Sequence, residues 1–295
     1  MTANVSTVGL LHPGSMGAAF AAQLRSQGIP VLWCRTGRSD ASRQRADCAG
    51  IEAVDDLGEL LRRVDVVLSL CPPEAAEDVA AQVGALGFRG GTYIEANAIT
   101  PLRVRRIADR LPHAVVVDGA VVGSPPLGSK QPTLYLSGPS EHVAQVEALF
   151  RGTDIRAHRL GEEIGKASAL KLAYSSYQKA SRVLAAVAYG LANSHGVADE
   201  LLEIASKRSG SYLAETDYIP KTAARAWRWG PELGDAADLL AEAGLPDHLM
   251  RAGTEVLHLW EGARDRTLTV DEALRHLRAE GQADHEGGAG TTAER

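Results

Sequence analysis

Ser168, Lys171, Ser175, Gln178 and Arg182 follow one another at spacings of three, four, three and four. On a helix that spacing lines them along one face. A lysine there can move a proton to or from a reacting oxygen, as an ammonium donating to a developing alkoxide or a neutral amine accepting from an alcohol. The role suits a lysine whose pKa is lowered toward neutrality by burial or by nearby cations, here Lys179 and Arg182. Ser175 and Gln178 could orient a substrate, and Lys179 with Arg182 could hold an acidic substituent. Lys166 competes with Lys171, but five residues earlier it would face away by about 140°. The plain alternative is a solvated helix face; a ligand site upstream would favour the wall of a cleft.

A candidate for that site lies near the start. A β-branched run leads into Gly9-Leu10-Leu11-His12-Pro13-Gly14-Ser15-Met16-Gly17, and a helical pattern follows. In a dinucleotide-binding turn the backbone and the positive helix end face a pyrophosphate. Gly14 and Gly17 hold the second and third positions of GxGxxG, with His12 at the first. The expected phosphate-binding residues are His12, Pro13, Gly14, Ser15 and Met16; an ordinary strand–helix turn is the alternative.

The next run ends in Cys34-Arg35-Thr36-Gly37-Arg38-Ser39. An NAD-selective site commonly places Asp or Glu here to accept from the ribose 2′-OH. Arg35, Thr36 and Arg38 instead suit a 2′-phosphate, which a guanidinium grips through its fork. The expected cofactor is NADP (NADPH). A solvated basic loop is the other reading, since Arg43 and Arg45 continue the basic run.

These residues need elements to position them. Runs at 5–11, 31–34, 64–71, 92–95, 114–118 and 133–137 read as strands, and 16–27, 41–49, 74–85, 101–111 and 141–150 as helices. That alternation predicts an α/β, Rossmann-like doubly wound parallel sheet covered on both faces. From 162 to 193 there is no proline, and the Ala/Leu-rich run would span about 48 Å if wholly helical. It predicts a long inter-domain helix entering an all-α C-terminal domain, with further helices at 199–207, 222–227, 234–243, 249–264 and 269–277. Trp227, Trp229 and Trp260 are expected to cover its core. His12 is expected to shape its turn and His195 to lie in a helix C-cap. The expected domains are 1–161, binding NADP, and 162–278, all-α for substrate and dimerisation, with a disordered tail at 279–295.

The chain has 295 residues, 45% hydrophobic and 23% charged, which suits roughly two domains and excludes disordered or collagen-like classes. A net charge of −6 argues against nucleic-acid binding by bulk electrostatics. No run approaches the roughly 18–20 apolar residues that cross a membrane, and 1–7 lack a leader pattern. Cys34, Cys48 and Cys71 are scattered, with no disulfide framework and no metal-binding CxxC or HExxH spacing. No metal is expected, and the expected location is a reducing cytoplasm.

On these residues the chain resembles the β-hydroxyacid dehydrogenase superfamily, which includes 3-hydroxyisobutyrate and 6-phosphogluconate dehydrogenases. Gly9, Gly14, Met16 and Gly17 match its opening G-x-x-G-x-G-x-M-G, and His12 departs. Leu70-Cys71-Pro72-Pro73 resembles the loop that passes beside the cofactor, implicating Cys71 and Pro72. Glu95-Ala96-Asn97-Ala98-Ile99-Thr100-Pro101 resembles D-x-S-T-I-x-P, which places Asn97 near the nicotinamide ribose. Asp118-Gly119-Ala120-Val121-Val122-Gly123-Ser124 resembles the substrate-binding D-A-P-V-S-G-G, implicating Gly123 and Ser124, with Val122 in place of the serine. In the catalytic segment G-x-G-x-x-x-K-x-x-N-N, Gly165 matches the first glycine, Ala167 replaces the second, and Lys171 falls on the lysine. Tyr174 and Ser175 replace both asparagines. The stretches 167–174 and 228–232 look closest to a phosphogluconate-dehydrogenase-like branch with its own C-terminal domain.

The resemblance implies hydride transfer between NADPH and the carbonyl or alcohol carbon of a small acidic substrate, with Lys171 as general acid/base. NADPH-dependent imine reduction is an alternative, although such relatives usually carry Asp or Tyr at the lysine position. A non-catalytic NADP-binding sensor is a third. The expected partners are a small-molecule substrate and a second copy of the chain, with no nucleic acid or membrane.

Overall fold

A computed structural model of the chain describes residues 6–207, 210, 212, 215–264 and 266–277. The chain divides into two compact units, Met1–Ser176 and Tyr177–Arg295. The first is built on eight strands: β1 (Val8–Leu10), β2 (Val31–Cys34), β3 (Glu52–Val54), β4 (Val66–Ser69), β5 (Thr92–Glu95), β6 (Val115–Val122), β7 (Thr133–Ser137) and β8 (Arg156–Arg159). They form one sheet in the order β3-β2-β1-β4-β5-β6-β7-β8.

β2, β4 and β5 are buried along their whole length, as strands covered on both faces must be. On one face Phe20 and Leu24 of α1 (Ser15–Ser26) pack with Val143, Val146 and Leu149 of α6 (Ser140–Leu149). On the other, Leu60 of α3 (Leu57–Arg63), Val83 of α4 (Ala76–Ala85) and Ile107 of α5 (Pro101–Arg110) form a second core. α2 (Asp40–Cys48) follows β2 in this unit. The strand order reverses direction at β1 and β4, the switch point where ligands of such sheets bind.

The parallel sheet expected from sequence holds except at one pair: β6 and β7 run antiparallel. The 123–132 connection between them carries no helix, so the chain returns as a hairpin instead of crossing over. The structure adds β3, α3 and β8, for which the sequence pattern predicts no element. β3 has two exposed residues of three, and Arg156-Ala157-His158-Arg159 of β8 is a charged edge strand with a loop-like pattern.

The long helix, α7, runs Lys166–Ser194, and the division between the units falls within it. Beyond its end Gly196 has φ of +72°, the left-handed conformation that ends helices, and His195 lies just before it. The second unit continues with α8 (Ala198–Ser206), α9 (Ile219–Glu242), α10 (His248–His258) and α11 (Val270–Arg275). One helix thus replaces the two expected around Pro231. The proline removes a backbone donor, but α9 continues because its apolar face packs on Leu257 and the buried Trp260. Trp229 packs against this core, whereas Trp227 is exposed beneath the Arg264 guanidinium and is not part of that core, contrary to expectation. The expected tail 279–295 lies outside the described residues.

Candidate active site

At the carboxyl end of the sheet lies a pocket of about 210 Å³ lined by Met16, Leu70, Cys71, Ala96, Asn97, Ala98, Val121 and Lys171. They come from five chain segments: the start of α1, the ends of β4 and β5, the strand β6 and the second turn of α7. Met16, Cys71, Asn97 and Lys171, picked out separately by motif, are therefore brought together within the first unit.

Lys171 is placed by a buried carboxyl. Asp118 of β6 accepts from Gly165 N at 3.0 Å, Ser168 N at 3.1 Å, Ser168 Oγ at 2.6 Å and Ser137 Oγ at 3.0 Å. The first three anchor the amino end of α7, where exposed N–H groups and the helix dipole favour a negative charge. Ser168 is consequently a buried anchor and not a pocket-facing member of the polar stripe. Ser175 is also buried; Gln178 is half-buried and Lys179 exposed in the second unit, and the Arg182 side chain lies outside the described part. Lys166 is exposed and ion-paired with Glu163 at 3.5 Å.

The glycine turn is built for close approach. A Cβ on Gly17 would meet the His12 carbonyl oxygen at 2.4 Å, so only glycine lets α1 start this close to β1. Gly14 caps α1 without a side chain, leaving the first N–H groups open to an anion. Arg38 reaches into the turn, donating to Leu11 O at 2.9 Å and from Nη1 to His12 Nδ1 at 3.4 Å. Since arginine only donates, His12 Nδ1 is the acceptor. Burial first, then the charges of Arg38 and Arg45, hold the His12 pKa below its ordinary value. Arg45 donates to Pro13 O at 2.9 Å, a contact absent from the sequence reading, where Arg45 only continues a basic run. Arg35 and Thr36 instead turn toward Asp55: Arg35 Nε donates to its carboxylate at 2.6 Å, and Thr36 to its backbone oxygen. Pro13 is buried, whereas Pro72, ahead of the short turn Pro73–Ala75, and Ser15 are exposed. Gly123, at φ +125° against Pro132, and Ser124 lie exposed after β6 and do not line the pocket.

Sequence reasoning gave no role to the acid beside Asn97. Glu95 is fully buried and accepts from Asn97 N at 3.0 Å. Asn97 Nδ2 donates to Ser69 Oγ at 3.1 Å and to Cys71 Sγ at 3.4 Å. Burial, helped by the repulsion of Asp118, pushes Glu95 up to about 7 against the bonds from Asn97 and Ser69. Burial and then Glu95 push the Cys71 thiol up, so it is not a ready nucleophile. The one signal was a charged residue ending an otherwise apolar strand.

Strand order, switch point and glycine turn define a dinucleotide-binding, Rossmann-like domain. The chain belongs to the family described as the NAD binding domain of 6-phosphogluconate dehydrogenase, which its residues 4–155 match, and it is of the NAD(P)-dependent oxidoreductase class. Residues 192–260 match a domain of unknown function, DUF1932. An uncharacterized 28.5 kDa protein in the 7S RNA 5′ region of Methanothermus fervidus is 28% identical over 208 residues, 70% of this chain and 79% of that one. Among solved structures, an imine reductase from Myxococcus stipitatus (V8 variant, in complex with NAD+) gives a TM-score of 0.76 at 16% identity, covering 92% of this chain and 99% of that one. A reductive aminase from Aspergillus terreus, in complex with NADPH and ethyl-5-oxohexanoate, gives 0.72 at 20%, covering 93% and 100%. At these identities the likeness is one of fold. Among the described residues no helix is long and apolar enough to cross a membrane.

Proposed function

We propose that the protein transfers hydride between NADPH and the carbonyl or alcohol carbon of a small acidic substrate, with Lys171 as general acid/base. The observation that carries the reading is the convergence of Lys171, Asn97, Cys71 and Met16 on one pocket at the switch point. The turn fits the cofactor's phosphates, with a tight glycine, open N–H groups on α1 and a buried Arg38 Nε without a partner among the described residues. Arg38, Arg45 and, after release from Asp55, Arg35 and Thr36 would hold a 2′-phosphate, which is the basis for NADP over NAD.

Bound NADPH supplies the hydride. The chain's own part is to orient and to handle the proton. Asn97, Cys71 and Met16 wall the reacting end, and the Lys171 ammonium donates to the oxygen as negative charge develops there. In oxidation the neutral amine takes the alcohol proton. Gly123, Ser124, Ser175, Gln178 and Lys179 remain candidate substrate contacts. Imine reduction is the second reading, favoured by the fold likeness to imine reductases and by Tyr174 and Ser175 where hydroxyacid enzymes carry asparagines.

The second unit also exposes an apolar groove of about 580 Å³ lined by Leu191, Val197, Leu201, Ile204 and Leu239. Its exposure supports a homodimer with a second copy on this helical unit, and sedimentation would show a single monomeric species if that reading is wrong. Three free cysteines suit a reducing, cytoplasmic setting.

The test is steady-state oxidation of NADPH and NADH against short 3-oxo acids, aldehydes and cyclic imines, beside Lys171→Ala. Lysine-dependent carbonyl turnover with NADPH preferred is expected. Turnover of imines alone selects the second reading, and cofactor binding without any turnover defeats both.

A further inference from the structure

Behind the pocket wall lies a buried acid that the proton transfer by Lys171 does not use. Glu95 Oε2 and Asn97 Oδ1 are both buried without a hydrogen-bond partner. Buried polar atoms are ordinarily paired. Here two acceptor oxygens, one on a pocket-lining residue and one directly behind it, have no donor from the described protein.

The titratable groups facing Glu95 come from every neighbouring element. Tyr93 shares its strand, Cys71 follows β4, Asp118 lies opposite in register on β6, and Lys171 lines the same pocket from α7. Burial, then the charge of Glu95, push Tyr93 and Cys71 up, so both stay neutral. Asp118 accepts from four donors. Glu95 is the carboxyl behind this wall whose charge changes near neutrality.

We propose that Glu95 is a positioning residue that ties the redox form of the cofactor to one proton: it holds Asn97 against the nicotinamide end and releases its proton when the oxidised ring binds. The inference rests on reading this pocket as the nicotinamide end of the site. The oxidised ring carries a positive charge that the reduced ring lacks, while phosphates and riboses are the same in both. A buried, poorly screened carboxylate stabilises only the charged ring. Binding of NADP+ to the protonated protein then yields the carboxylate complex and one proton in solvent, with no covalent bond of the cofactor changed; NADPH leaves the proton in place. By linkage, rising pH favours NADP+ over NADPH.

The experiment titrates the full chain with NADP+ and with NADPH from about pH 5.5 to about pH 8.5, in wild type, Glu95→Gln and Lys171→Met. Contributions of the 2′-phosphate and His12 are common to both forms and cancel in the ratio of dissociation constants. The NADP+/NADPH ratio is expected to fall about tenfold with rising pH in wild type, one pKa unit of coupling. The fall should persist in Lys171→Met and vanish in Glu95→Gln. Proton release near neutral pH should accompany NADP+ and not NADPH. A ratio that is flat in wild type, or that falls equally in Glu95→Gln, overturns the assignment. Should Glu95→Gln not fold, wild-type proton release decides, and equal release with both forms overturns it. If neither nucleotide binds, the reading of the pocket itself fails and takes this one with it; binding without the pH dependence overturns Glu95 alone.

Discussion

Two clusters of charge stand at the same carboxyl edge of the sheet and obey opposite rules. Around the ends of β1 and β2, Arg35 is exposed and Arg38 half-buried, and with Arg45 they take carbonyl oxygens, the His12 ring, a serine hydroxyl and one exposed acid as partners. Around β5 and β6, Glu95 and Asp118 sit side by side in register with no exposure at all. An exposed guanidinium keeps its charge at any working pH and exchanges partners at little cost. A buried carboxyl must be supplied with donors or with a proton. Asp118 has the donors, from the start of α7 and from Ser137. Glu95 has fewer, and its pKa rises. The cationic cluster is therefore suited to gripping a ligand, and the acidic one to fixing the frame around it.

The largest effects should come from the pocket and its frame. Lys171→Ala is expected to lower turnover by about 10²–10⁴-fold, the usual worth of a positioned acid/base, with NADPH affinity retained in a fluorescence titration. Full activity in that variant would remove the lysine from the chemistry. Asp118→Ala leaves three backbone and hydroxyl donors at and just before the start of α7 and one of Ser137 without that acceptor. It should destabilise the first unit by about 3–5 kcal/mol in chemical denaturation, and an unchanged midpoint would show that α7 needs no such anchor.

Glu95 gives the complementary result, with a sign set by its raised pKa. A carboxyl that titrates near 7 when folded and near 4.5 when unfolded supports the fold fully below about pH 4.5 and loses that support as pH rises through about 7. Wild type should thus lose up to about 3 kcal/mol relative to Glu95→Gln across that window. Parallel denaturation curves at acid and at mildly alkaline pH would show that Glu95 is not buried as a neutral acid.

What could be read from the sequence follows the range of the interactions involved. The buried strands announce themselves through β-branched runs, and Met16, Cys71, Asn97 and Lys171 through short motifs. The bond from Asn97 to Ser69 joins residues 28 apart, and that from Ser168 to Asp118 residues 50 apart. No local spacing encodes such pairs, so Ser168 looked like a cleft residue and Glu95 like a strand end. The reversal at β7 and the passage of α9 through Pro231 have the same origin, since partners elsewhere in the fold override local preference. Charged edge strands such as β8 are invisible because they bury little.

The cationic cluster should respond more weakly and in graded steps. Arg38→Ala removes a half-buried donor that braces the turn, and should weaken NADPH binding about tenfold to a hundredfold while changing NADH binding less. Arg35→Ala should cost the least. Its guanidinium spends part of its charge on Asp55, and both side chains are more than half exposed, at 57% and 70%. Breaking that pair to engage a phosphate regains little beyond what it gives up. NADPH affinity is expected to fall no more than about fivefold, and Asp55→Asn, which frees Arg35 without removing it, should raise affinity slightly. Comparing NADPH dissociation constants for the two variants at low and moderate salt checks this. An Arg35→Ala loss larger than that of Arg38→Ala would place the phosphate contact on the exposed loop instead of at the half-buried turn.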